Sequence, residues 1–239
     1  MSESKNLKKA RGLLIDFDRA KLIRWFFSIV GILAICDMIN VVLGNPSWQL
    51  ERLFEMSLKN NIPLWYSAML LMLAALVAFR CFQLVETKKE KWLWLSVVFV
   101  FWVFSIDEVA LIHQHLFRGL SVLILPQHAR HSITAHFSHT DWPILASPFL
   151  VALVLWFVFT IKNLFRGSSN ARNFFVLGLV IFVTGGWLLE ILANYLNHDS
   201  LQWVYDIHTV LRKSLELIGT ITVVHALFLH EQVLAARQQ

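Results

Sequence analysis

Six long apolar blocks decide what this chain can fold into. They cover residues 25–43, 62–79, 92–112, 142–161, 173–196 and 204–229. A bilayer's hydrocarbon core is about 30 Å thick, so a helix needs ~20 mostly apolar residues to cross it. No water satisfies the backbone inside lipid, so a crossing segment must be a helix or belong to a closed barrel. Barrel strands read as short stretches of alternating hydrophobicity, whereas these blocks are continuous. The sequence therefore predicts an all-α, polytopic bundle of six transmembrane helices. Around it lie an N-terminal segment, 1–24, and a short tail, 230–239. Composition agrees, with 57% hydrophobic and 15% charged residues, against ~25% charged in soluble domains. This excludes a disordered chain, a coiled coil, a disulfide scaffold and an ordinary soluble enzyme. Cys36 and Cys81 fall at different depths, so no disulfide is expected.

Basic residues in the connections set the orientation. With six spans, both termini share one side, and that side carries 15 of the 21 Lys and Arg residues. The opposite loops carry four: Arg52, Lys59, Arg118 and Arg130. The expectation is a bacterial inner-membrane protein with both termini cytoplasmic. The same asymmetry accounts for much of the net charge of +5 and leaves no clustered basic face of the kind nucleic acid requires. Residues 11–24 mix Leu13, Leu14, Phe17 and Leu22 with Arg11, Arg19, Lys21 and Arg24, which predicts an amphipathic helix on the inner surface. Tryptophans at block ends, such as Trp25, Trp65, Trp92, Trp142 and Trp203, suit interfacial anchoring. Ala74 with Ala78, and the glycines Gly178, Gly185 and Gly186, suit close helix packing.

Charges inside the spans are the informative anomaly, because each costs ~2.5–3.5 kcal/mol at mid-bilayer. Asp37 lies toward the outer end of the first span and Asp107 with Glu108 toward that of the third. Glu190 and Asn194 lie near the outer end of the fifth. Asp206, His208 and Arg212 occupy the outer half of the sixth, with Glu216 near its middle. Four helices thus bring acids to one depth, which predicts a shared polar site. His208, Arg212 and Glu216, spaced by four, share a helix face. Arg212 is placed to neutralise Glu216. Glu108 and His115 share a face if the helix continues, but Glu108 and His113 are ~140° apart on an ideal helix. They meet only if the helix ends between them.

Histidine is the second anomaly. The outer loop 113–141 holds six of the ten: His113, His115, His128, His131, His136 and His139. Imidazole suits zinc, copper, iron and nickel, and it also senses pH. The H-x-x-H-x-x-x-x-H-x-x-H run at 128–139 matches no closed metal motif, so polar interface residues, metal capture and pH sensing all stay open for the last four.

The stretch Ser105-Ile106-Asp107-Glu108-Val109-Ala110-Leu111-Ile112-His113 resembles the S-x-D-E-x-x-x-x-H signature of a group of bacterial polytopic membrane proteins of unassigned function. Gly185-Gly186-Trp187-Leu188-Leu189-Glu190 and Leu215-Glu216-Leu217-Ile218-Gly219 are similar to that group's later elements. The likeness implies a carboxylate-rich site on the third to sixth spans. The chain departs from the pattern at Gln114 and at Arg212-Lys213-Ser214, where further acids often stand in the group.

Four readings follow. In the first, Glu108, His113, Glu190 and Glu216 bind a transition metal (zinc, iron or copper), with Asp107 as base, in a membrane enzyme or a subunit of one. In the second, the intramembrane acids carry protons or cations through a transporter or channel, alone or as a homo-oligomer. In the third, the His-rich loop makes the chain a sensor or an assembly subunit of a membrane complex. In the fourth, the charges pair to hold the helices together.

Overall fold

The computed structural model describes residues 18–44, 47–56, 58, 60–113, 115–116, 119, 142–196 and 202–238. The helices are α1 (Arg19–Val42), α2 (Trp48–Phe54), α3 (Ile62–Leu84), α4 (Lys88–Ala110), α5 (Trp142–Leu164) and α6 (Ser169–Val183). A π-helical turn (Thr184–Leu188) joins α6 to α7 (Leu189–Leu196), and α8 (Gln202–Ala236) closes the chain. Among the described residues there is no strand. Six helical stretches are long and apolar enough to cross a membrane: α1, α3, α4, α5, α6 running into α7, and α8. The protein is a multi-pass helical membrane bundle.

The six spans match the apolar blocks at one end and overrun them at the other. At the end away from the chain termini, each helix boundary lies within two residues of its block. At the end that gathers the termini, each helix continues for three to seven residues past its block. These extensions carry Arg19, Lys21, Arg80, Lys88, Lys162 and Arg172. Long basic side chains reach out of the apolar layer while their helix stays ordered, so hydropathy stops before the helix does. Arg19–Arg24, read as part of a separate surface helix, are the first turns of α1 itself.

Caps fix these ends. The Asp18 carboxylate accepts the Lys21 N–H at 3.1 Å at the start of α1. Thr87 caps the start of α4: the Glu90 N–H donates to the Thr87 hydroxyl oxygen at 3.2 Å, and that hydroxyl donates to the Glu90 carboxylate at 2.8 Å. Asn61 caps α3 through the Leu64 N–H at 3.1 Å.

Helices α8 and α3 are central. Of their most apolar 18-residue windows, 61% and 56% are buried, against 17–22% for the other spans. Helix α8 packs most extensively on α6, and α3 on α4. Ala74 and Ala78 are fully buried, as expected of a small-residue packing pair. On α6 and α8 the backbones nearly touch. A Cβ on Gly178 would lie 2.8 Å from the Val223 nitrogen, and one on Gly219 would lie 2.4 Å from the Phe182 nitrogen. Only glycine permits that approach.

The two ends of the bundle differ in chemistry. At the basic end, Arg19 pairs with Glu231 at 2.6 Å, Arg237 donates to the Arg166 carbonyl at 2.9 Å, and Gln238 donates to the Leu84 carbonyl at 2.8 Å. These contacts bring the start of α1, the end of α8 and the α3–α4 and α5–α6 turns to one level. The opposite, acidic end holds the ionic contacts of the candidate site.

Candidate functional site

Glu108, Lys213 and Glu216 form the centre of the acidic end. Helix α4 supplies Glu108 two residues before its last residue, and α8 supplies the other two. Lys213 and Glu216 stand at i and i+3 on one helix, so their side chains are neighbours. The Lys213 ammonium donates to Glu216 Oε1 at 2.7 Å and also to Glu108 Oε1. Ser67, fully buried on α3, donates to Glu216 Oε1 at 3.4 Å. Lys213 and Glu216 are both buried, at 5% and 7% exposure. One ammonium therefore serves two carboxylates out of water, and the cluster carries one more acid than base.

The neighbouring ionic contacts are separate pairs. Arg212 bonds Glu190 on α7. The π-helical turn makes this reach possible. On an uninterrupted α-helix Glu190 would stand about 140° around from Gly185, the residue that faces α8. The wider i→i+5 turn advances each residue by less than the α-helical step and brings Glu190 back toward α8. The turn itself lies hard against the site. A Cβ on Gly185 would be 2.6 Å from the Glu216 nitrogen, and one on Gly186 would be 3.8 Å from Glu216 Oε2.

Helix α4 ends as His113 requires. Ala110 is its last residue, and Leu111 takes the left-handed conformation with φ 54°. The chain then folds back, so the His113 N–H donates to Asp107 Oδ1 at 2.7 Å and its ring bonds Asp107 Oδ2. His113 thus meets Asp107 rather than Glu108. His115 is exposed. Asp37, 2% exposed on α1, accepts the Met56 N–H at 2.9 Å and anchors the α2–α3 linker. His208 is buried, and among the described residues neither ring nitrogen has a hydrogen-bond partner.

Helix arithmetic sets the depth. Glu108 stands 20 residues beyond Lys88 on α4, or about 30 Å. Glu216 stands 21 residues before Arg237 on the α8 side, or about 31 Å. The cluster is therefore about 30 Å along the helices from the charged residues of the basic end.

Residues 25–231 match the family described as "Domain of unknown function (DUF8692)". The chain belongs to the DUF8692 family. The match runs from the first turns of α1 to near the end of α8, so it takes in every residue of the site. No curated protein and no solved structure matches the chain.

In this DUF8692 chain the four residues expected as metal ligands divide among three contacts. Glu108 and Glu216 converge, with the Lys213 ammonium between them. Glu190 is held by Arg212, and His113 by Asp107. Among the described residues, no three of His, Cys, Asp and Glu are placed to hold a metal ion, and an ammonium is a donor, not a ligand. The described donor set does not fit zinc, iron or copper. His128, His131, His136 and His139 lie outside the described residues, as does the Asn194 side chain. The expected Arg212–Glu216 pair is replaced by Arg212–Glu190 and Lys213–Glu216. Two participants escaped the sequence reading. Lys213 carries a visible signal, its i,i+3 spacing to Glu216. Ser67 carries none, since serine is unremarkable in a membrane helix.

Proposed function

We propose that this protein is a multi-pass protein of a bacterial cell membrane with both termini cytoplasmic. Its function centres on an acid–base site in the outer half of the bundle. The orientation rests on the 15-to-4 division of basic residues between the two sides. The functional reading rests on one observation: among the described residues, Lys213 is the sole cation bonded to both Glu108 and Glu216. A buried cluster with two carboxylates and one ammonium has a surplus negative charge, which a proton neutralises. Glu108 and Glu216 are the proton-exchanging pair, Lys213 holds them together, and Ser67 orients Glu216. Asp107 orients His113 beside them. Such a group supplies general acid–base chemistry to a membrane enzyme, or to a subunit of one, acting at the outer side.

Proton-coupled transport is the weaker reading. Toward the basic end, the Thr220 and Thr222 hydroxyls donate to carbonyls of their own helix at 2.9 and 2.8 Å. The fully buried Leu217, Ile221 and Val224 surround them. Among the described residues, no chain of polar contacts continues from Glu216 to the far side.

Infrared difference spectroscopy of the purified protein in lipid nanodiscs, recorded as pH is varied, tests the reading. The expected result is one protonated-carboxyl band that disappears in both Glu108→Gln and Glu216→Gln, because either change leaves a balanced pair. A wild-type spectrum without such a band, or a band that survives both changes, overturns it.

A further inference from the structure

At the basic end, far from the acid–base site, a cleft of about 320 Å³ opens between the α3–α4 turn, the α5–α6 turn and the end of α8. Two arginines, Arg166 and Arg237, and two glutamates, Glu86 and Glu90, line it. Among the described residues none of the four pairs with another. Here the Arg166 carbonyl engages the Arg237 guanidinium and the Thr87 hydroxyl engages the Glu90 carboxylate. The Arg237 guanidinium lies on Gly167, where an added Cβ would be 2.0 Å from its nitrogen, and φ at that glycine is 79°. Buried His230 forms one wall, fixed by a 2.6 Å hydrogen bond with Ser168 and by stacking on Trp94.

The cleft is charge-balanced, with positive and negative groups both unspent, and it lies at the level where the spans end. A ligand suited to it carries a phosphate and an ammonium a few bonds apart. We infer that this cleft binds a phosphoethanolamine-type zwitterionic headgroup, with phosphate on Arg166 and Arg237 and ammonium on Glu86 and Glu90. Guanidinium matches phosphate oxygens through several N–H donors. A primary ammonium donates to carboxylates, which a quaternary choline cannot do. A headgroup bearing phosphate and glycerol would leave the glutamates facing an anion. The volume suffices, since a water molecule's share of the liquid is about 30 Å³. The inference is independent of the proton site and of its test.

The experiment uses the full chain, delipidated in detergent and titrated with phosphatidylethanolamine, phosphatidylglycerol or phosphatidylcholine of identical acyl chains, with bound lipid counted by native mass spectrometry. Phosphatidylethanolamine should bind about tenfold more tightly than either of the others. Glu86→Gln with Glu90→Gln should remove the preference over phosphatidylglycerol, and Gln at residue 90 keeps an oxygen that accepts from the Thr87 hydroxyl. Arg166→Gln with Arg237→Gln should weaken all three lipids. Free phosphoethanolamine should compete, which places recognition in the headgroup. Equal binding of the three lipids to the wild type overturns the inference. So does an unchanged preference in the glutamine variant, or a failure of free phosphoethanolamine to compete.

Discussion

Replacing Gly219 by alanine tests whether α6 and α8 are locked by backbone contact. The added Cβ would lie 2.4 Å from the Phe182 nitrogen, 2.7 Å from its Cα and 2.8 Å from the Gly178 carbonyl oxygen. Comfortable carbon contacts begin near ~3.5 Å, so the shortfall is about 1 Å. All three obstacles are backbone atoms, so no rotamer change relieves them and the helices must part. Overpacking of this kind costs ~1–3 kcal/mol, against a helix-propensity gain of up to ~1 kcal/mol for Gly→Ala. Gly31, on α1, is the matched control: a Cβ there meets nothing within 4 Å. Gly31→Ala should therefore be neutral or stabilising by up to ~1 kcal/mol. Equilibrium unfolding in mixed micelles should place the two variants about 2 kcal/mol or more apart. If Gly219→Ala is as stable as Gly31→Ala, the close approach of α6 and α8 is wrong.

Further outcomes follow from individual contacts. Thr87→Ala removes the α4 cap and should cost ~0.5–2 kcal/mol in the same assay, whereas Thr87→Ser should cost little. Ser105→Ala removes the 2.8 Å bond to the Ala68 carbonyl between α4 and α3 and should cost roughly 0.5–1.5 kcal/mol. Asp37→Ala leaves the buried Met56 N–H without its acceptor and should cost ~1–3 kcal/mol. Asp37→Asn, which keeps an accepting oxygen, should cost less.

Much of this was legible in the sequence, and the exceptions have physical causes. Span number and class follow from block length, because a bilayer admits few alternatives. Helix ends at the acidic side follow to within two residues, as where Asn61 precedes the apolar run of α3. The basic ends do not, because hydropathy falls at the first lysine or arginine while the helix continues through the headgroup layer. Depth alignment of Asp107, Glu108, Glu190 and Glu216 is legible in the sequence, and two of the four, Glu108 and Glu216, meet at Lys213. Pairing within it is hidden, because Arg212 and Lys213 are adjacent and their partners depend on how α8 is rotated against α4 and α7. The π-helical turn that delivers Glu190 leaves only the Gly185-Gly186 pair as a trace, and tight packing alone would also explain that pair. The early end of α4, which turns His113 onto Asp107, depends on a left-handed leucine that no local preference announces.

The central claim is that one lysine serves two carboxylates. Two double-mutant cycles in mixed-micelle unfolding test it, pairing Lys213→Met with Glu108→Gln and with Glu216→Gln. Lys213→Met alone should cost ~3–5 kcal/mol, because it strands two buried acids. Each double variant should be more stable than the sum of its single changes predicts, by at least ~1 kcal/mol in both cycles. Coupling to only one glutamate, or to neither, would contradict the shared cluster.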